Sequence, residues 1–124
     1  MHKLLFVIIG GAAGACSRYG LAAVSQRILD TSFPVGTFIV NILGCLLFGL
    51  LWGLFEDGLN ISSELRLLFF TGFMGSFTTF STYIFEGANL LKSGNYTHAL
   101  FYMGGQILIG LICVVAGMAA GRAI

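Results

Sequence analysis

Charged side chains are scarce along this chain, and their placement divides it into blocks. Three runs, Val35 to Phe55, Leu67 to Phe85 and Ala99 to Gly121, contain no Asp, Glu, Lys or Arg. Each approaches or exceeds the ~20 apolar residues needed to cross the hydrocarbon core of a bilayer. A fourth run, Leu4 to Val24, is interrupted by Arg18 alone. The pattern predicts four membrane-spanning helices, over about 3–27, 34–56, 63–91 and 97–122, in a single domain covering 1–124. The stretches RILDTSFP, EDGLNISSE and KSGNYTH are left as short loops, with no length remaining for a soluble domain.

The first run has a second reading. MHKLLFVIIGGAAGACS carries the basic start, apolar middle and small-residue end of a secretory signal peptide. Against that, RYGLAAVS continues the apolar character past the expected cut, and Gly10 and Gly14 are spaced to let another helix approach closely. The segment is therefore read as the first transmembrane helix. Gly49 and Gly53, and Gly117 and Gly121, share that spacing and are read as assembly residues.

Composition agrees: 57% of residues are hydrophobic and 9% charged, outside the range of soluble globular domains. A net charge of +1 implies neither a nucleic-acid partner nor a strongly anionic one. Cys16, Cys45 and Cys113 fall in three different apolar runs without CxxC spacing, so they read as small packing residues rather than a metal cluster or disulfide.

Basic residues flanking the helices normally set orientation. Lys3, Arg66 and Arg122 stand on the side of the termini, Arg27 and Lys92 on the other, and Arg18 lies between. The bias is nearly nil. The expectation is insertion in both directions, with two opposed copies paired about a twofold axis in the membrane plane, a geometry that inverted repeats reproduce within single chains. A weak bias with one dominant topology is the alternative. Four helices alone also have difficulty enclosing a polar pathway and shielding it from lipid.

Polar groups inside the bilayer need a reason, because each uncompensated one costs several kcal/mol. Thr37 and Asn41 lie one turn apart on the second helix, Tyr102 and Gln106 one turn apart on the fourth. The third run holds most of the rest: Thr71, Ser76, Thr78, Thr79, Ser81, Thr82, Tyr83 and, at its end, Glu86. A few hydroxyls can bond back to their own helix. The density around GFMGSFTTF instead predicts a helix interrupted near Gly75 to Thr79, with freed backbone groups, which survives only if buried in protein or lining a wet cavity. If helix resumes after the break, Phe77, Phe80 and Tyr83 recur every three residues and share a face, while Ser81 and Phe85 stand one turn apart on another. Ring edges are electropositive, so with amide and hydroxyl donors they can replace part of an anion's water shell without a formal charge. An ordinary aromatic packing face would show the same periodicity. Glu86 reads as a capping or interfacial acid, since an ionised carboxylate in the route would repel an anion.

Three motifs narrow the choice. GGAAGACSRY (Gly10 to Tyr19), GTFIVNILG (Gly36 to Gly44) and GFMGSFTTFSTY (Gly72 to Tyr83) together resemble the small fluoride channel family known as Fluc or CrcB, in order and at consistent spacing. The resemblance implies an all-α integral membrane fold of four helices, the third broken, assembled as a dual-topology antiparallel homodimer with two fluoride pores along the interface. It implies passive exit of cytoplasmic fluoride across a bacterial inner membrane, with a detoxifying role. It places the pore asparagine at Asn41, the pore aromatics at Phe80 and Tyr83, and the polar track at Ser81 and Thr82. A structural sodium ion would sit at the dimer interface on the backbone carbonyls of Gly75 and Thr78, and Arg18 would serve as vestibule or structural charge. Thr37, Tyr102 and Gln106 are further pathway candidates, the fourth helix carrying the least specific resemblance. Tyr83 is a departure, since the family usually has phenylalanine there. Competing readings are a proton-coupled cation or multidrug exporter, which would need a membrane-embedded carboxylate, and a non-transporting assembly subunit.

Overall fold

The computed structural model describes residues 1–57 and 60–124, and these are helical nearly throughout. Gly58 and Leu59, in the EDGLNISSE loop, lie outside the described residues. Two long helices come first, α1 (His2–Leu29) and α2 (Val35–Asp57). The third crossing is assembled from pieces: α3 (Ser63–Arg66), a π-helical stretch (Leu67–Met74), α4 (Gly75–Phe77) and, after two residues that leave the helix, α5 (Phe80–Lys92). A last long helix, α6 (Tyr96–Ala123), completes four crossings. Three of them, α1, Val35–Glu56 of α2, and α6, are individually long and apolar enough to cross a membrane, with mean hydropathies of 1.5, 2.3 and 2.1.

Local chemistry sets the connections. Asp30 adopts a left-handed conformation (φ 39°) and its N–H returns to the Gln26 carbonyl at 3.1 Å, closing α1. The Gln26 side chain then organises the turn: its Nε2 donates to the Thr31 and Phe33 carbonyls at 2.6 and 3.1 Å, and its Oε1 accepts the Gly36 N–H at 3.2 Å. Pro34 stands directly before α2, where a fixed φ and a missing N–H cost nothing. Gly94, with φ +78°, supplies the left-handed residue that turns α5 into α6.

Without water to drive apolar groups together, helices in lipid associate by close backbone approach, and glycines permit it. The most extensive contact joins α2 to α6, which run parallel. A Cβ at Gly49 would fall on the Val114 carbonyl and one at Gly53 on the Met118 carbonyl, while Gly117 and Gly121 meet the Leu46 and Leu50 carbonyls in return. Each glycine pair thus seats the other helix's backbone. Gly10 and Gly14 do the same for the π-helical stretch, pressing on the carbonyls of Leu68 and Phe73, with Gly72 lying against Val7 and Gly10 from the other side. The three glycine pairs are assembly residues within one chain.

The interior has two clusters, Val40 with Met74 and Phe77, and Tyr83 with Leu90, Ala99 and Tyr102. Ile8 and Ile9 of α1 and Leu108 and Ile112 of α6 are exposed on the single chain, leaving apolar surface on the outside of the bundle.

Candidate functional site

The interruption in the third crossing is narrower than the 75–79 interval, because Gly75 to Phe77 are still helical and only Thr78 and Thr79 leave the helix. Their backbones are extended, with ψ 159° at Thr78, and φ −146° and ψ 124° at Thr79. The last ladder bond before the break runs from the Thr78 N–H to the Met74 carbonyl at 3.2 Å, and the Thr78 hydroxyl donates to the same carbonyl at 3.1 Å. In a continuous helix the Thr79 N–H would bond the Gly75 carbonyl. Here Asn41 Oδ1 accepts it at 2.9 Å, and Asn41 Nδ2 donates to the Thr79 carbonyl at 3.0 Å. One side-chain amide from α2 therefore satisfies both backbone groups of the residue at the break. Thr79 in turn caps α5, its Oγ1 accepting the Thr82 N–H at 3.3 Å and donating to the Thr82 hydroxyl at 3.1 Å.

The one-turn pairs on α2 and α6 meet in two tiers. In the first, Asn41 Nδ2 also donates to Gln106 Oε1 at 2.8 Å, and Gln106 Nε2 donates to the Tyr102 carbonyl at 3.2 Å. In the second, one turn away, the Thr37 hydroxyl donates to Glu86 Oε1 at 3.1 Å and the Tyr102 hydroxyl makes a short bond to Glu86 Oε2. Among the described residues no buried side-chain nitrogen or oxygen lacks a partner. That matters in a low-dielectric setting, where a half-satisfied polar network is worse than none.

Two cavities flank the break. One, of about 330 Å³, is bounded by Asn41, Thr78, Thr79, Phe80, Tyr83 and Gln106 together with the α2 and α6 surface around Cys45 and Ile107. The other, of about 450 Å³, holds Arg18, Thr37, Thr79, Thr82 and Glu86. Thr79 lines both, so the clasped residue is the wall between them.

A family model described as CrcB-like protein, Camphor Resistance (CrcB) matches residues 5–118. The chain belongs to the CrcB family. It is 55% identical over 124 residues to a protein named fluoride-specific ion channel FluC from Maridesulfovibrio salexigens, covering all of this chain and 98% of that one. Relatives of the same name from Nitratidesulfovibrio vulgaris (strain Miyazaki F) and Chloroflexus aurantiacus are 47% and 44% identical, each over 122 residues, with 98% of this chain and 98% and 97% of theirs covered.

In this CrcB chain the pathway candidates fall into two groups. Asn41, Gln106, Thr37, Tyr102 and Thr82 are brought together in the hydrogen-bonded tiers around the break. Phe80 and Ser81 instead stand exposed at the start of α5, Phe80 at 75%, and the Ser81 hydroxyl has no protein partner among the described residues. Tyr83 links the groups. Its ring lies 5.7 Å from that of Phe80 and 5.7 Å from that of Tyr102, while its hydroxyl donates to the Met103 carbonyl at 2.7 Å.

The shared aromatic face does not form. Phe77 is buried against Val40 and Met74 and stacked on Phe73, Phe80 is exposed, and Tyr83 is buried among other residues. The extended pair Thr78–Thr79 lies between Phe77 and Phe80, so helical periodicity does not carry across it. Ser81 and Phe85 are both exposed. Arg18 shares the larger cavity with Glu86. Gly75 is exposed and Thr78 borders the smaller cavity.

Two residues outside the pathway candidates also stand at the break: Thr79, which Asn41 clasps, and Glu86, which accepts from the Thr37 and Tyr102 hydroxyls. A signal existed: Thr82 and Glu86 are four apart, on one helical face, and with the capping Thr79 they line the Arg18 cavity.

Proposed function

We propose that this chain is a passive, fluoride-selective channel through which cytoplasmic fluoride leaves a bacterial cell across its inner membrane. Full-length similarity to bacterial proteins named fluoride-specific ion channels supports the substrate. The observation that carries the mechanism is the Asn41 clasp on Thr79, standing between two cavities lined by amide, hydroxyl and aromatic groups.

Fluoride is small and tightly hydrated, so it needs successive donors to replace its water. The exposed Ser81 hydroxyl and the neighbouring Phe80 ring edge form the start of such a series, and Asn41, Gln106 and Thr82 continue it. Both Asn41 amide hydrogens are engaged, by the Thr79 carbonyl and by Gln106, so a passing anion takes one of them by exchange rather than meeting an idle donor. Exchange binds weakly, as conduction requires. Arg18 in the larger cavity supplies positive potential toward the same break.

Phe80 and Ser81 face outward from one chain, so a closed route requires a second copy. The near-equal charge flanking the helices favours an antiparallel homodimer with a pore on each side of its axis. A structural sodium ion fits this arrangement. The Gly75 carbonyl has lost its ladder donor because the Thr79 N–H turned to Asn41, and hard cations take several oxygen ligands. Gly75 and Thr78 of each copy would hold it, and when bound it supplies a fixed positive charge near the break.

The test is fluoride efflux from liposomes carrying the purified chain. Electrical efflux without a proton gradient, much faster for fluoride than chloride, is expected. Trapped fluoride, with organic-cation uptake driven by a proton gradient, would establish the exporter reading instead. Glu86 gives that comparison point, because the structure places this carboxylate inside the bundle against Thr37 and Tyr102.

A further inference from the structure

A third cavity, of about 400 Å³, opens toward the membrane face that carries the chain termini, with Phe48 shared between it and the smaller cavity at the break. Its polar edge is formed by Lys3 from the start of α1 and by Arg66, Ser63 and Thr71 from the first part of the third crossing. Its apolar floor is aromatic, Phe48 and Trp52 of α2 meeting Phe70 edge to face, with ring centroids 5.1 and 5.9 Å apart. None of these groups takes part in the tiers around Asn41 and Glu86.

We propose that this cavity is a binding site for one anionic phospholipid. The phosphodiester would accept hydrogen bonds from Lys3, Arg66 and the two hydroxyls, while an acyl chain lies along Phe48, Trp52 and Phe70. The juxtaposition of the two chemistries singles out a lipid. A free phosphate would use the basic edge and leave the aromatic floor idle, and a zwitterionic lipid would bring its own cationic head group against Lys3 and Arg66, leaving the edge with an excess of positive charge. Basic pockets between helices at a membrane face are the known chemistry for anionic head groups, and tryptophan is at home at that depth. Glu64 stands beside Arg66 on α3 and brings a negative charge to the same edge. A net charge of +1 for the chain conceals this local pairing, because the sum includes acids elsewhere. The inference stands apart from the channel reading and needs no ion flux to test it.

Trp52 is the sole tryptophan in the sequence and lines this cavity while 41% exposed, so the difference between anionic and zwitterionic quenchers, rather than quenching itself, reports on the site. The full chain is placed in phosphatidylcholine vesicles containing either dibrominated phosphatidylglycerol or dibrominated phosphatidylcholine at the same mole fraction, and quenching of Trp52 is titrated. Half-quenching is expected at roughly three- to tenfold less of the anionic lipid, given the usual contribution of a basic residue near a membrane surface. Lys3→Gln with Arg66→Gln should remove the preference, Glu64→Gln should widen it, and Lys92→Gln, on the opposite face, should leave it unchanged. Equal quenching by the two lipids in the unaltered chain overturns the proposal, as does a preference that survives the double change or disappears with Lys92→Gln. Relief of the preference by millimolar inorganic phosphate would identify a soluble-anion site and overturn the lipid assignment. Should the double variant shift the unquenched emission, Thr71→Val decides: a reduced preference supports the site and an unchanged one overturns it.

Discussion

Asn41 takes the place of a helical turn at Thr79. Its Oδ1 receives the N–H that would otherwise bond the Gly75 carbonyl, at 2.9 Å, and its Nδ2 bonds the Thr79 carbonyl at 3.0 Å. The break is therefore held from another helix, and the amide that holds it also borders the cavity beside Phe80. On the proposed route, structure and conduction depend on the same side chain.

Asn41→Ala leaves the Thr79 N–H and carbonyl without partners and frees Gln106 Oε1. Losing several bonds in a partly buried site costs about 2–4 kcal/mol. We expect a lowered unfolding midpoint in detergent and fluoride efflux reduced at least about tenfold, the change expected of a ~1.4 kcal/mol barrier increase. A variant with wild-type stability and flux would show that the clasp is dispensable.

Phe80→Ile tests the pathway without touching the core. Phe80 is 75% exposed in the single chain, and substitutions at such positions usually change stability by less than about 0.5 kcal/mol. Fluoride efflux should be abolished while chromatography still reports the proposed dimer. Undiminished efflux would remove this ring from the route.

Tyr83→Phe introduces the ring that the resemblance implies for this position. The Tyr83 hydroxyl donates to the Met103 carbonyl at 2.7 Å, so its loss should cost only about 0.5–1.5 kcal/mol. Efflux should stay within about twofold of the unaltered chain, a difference of less than ~0.5 kcal/mol in barrier. A large gain in rate would mean that the hydroxyl narrows the pore.

Glu86 and Tyr102 should be energetically coupled. Tyr102→Phe leaves Glu86 Oε2 without its hydroxyl donor, and Glu86→Gln removes the charge that makes that bond strong. Each single change should destabilise the chain, and the double change should cost less than their sum, with a coupling of about 0.5–3 kcal/mol. Strict additivity in thermal unfolding would show that the contact contributes nothing.

Where the sequence was readable, the reason was local. The pairs Thr37 and Asn41, and Tyr102 and Gln106, lie one turn apart on regular helices, so their shared faces follow from periodicity alone. Their pairing into tiers depends on the register of α2 against α6, which the four glycines at their contact set and no single helix reveals. The break shows the same division. Hydroxyl density marks the region as weakly helical, but its placement at Thr78–Thr79 is decided by an amide reaching in from α2. Phe77 stands apart from Phe80 and Tyr83 because a three-residue period does not carry across that break, and the inward position of Glu86 depends on the Thr37 and Tyr102 hydroxyls, partners on other helices that its own segment does not reveal. The π-helical stretch left no mark in its own residues. It lies against Gly10 and Gly14 of α1, where only glycine admits a carbonyl so close.

That last point extends to a paired prediction about glycines on the helices. At Gly117 an added Cβ would strike the Leu46 carbonyl, a backbone atom that moves only if α2 and α6 separate, whereas around Gly20 there is open space within 4 Å. Gly117→Ala should therefore overpack the principal helix contact and destabilise by about 1–3 kcal/mol. Gly20→Ala should instead stabilise by about 0.4–1 kcal/mol, because alanine loses less backbone freedom when the helix forms. The two substitutions add the same methyl group to the same residue type in long apolar helices, so a difference of sign in the unfolding midpoint isolates close approach from helix propensity. Equal shifts in the two variants would mean that the α2 and α6 glycines were not selected for packing at all.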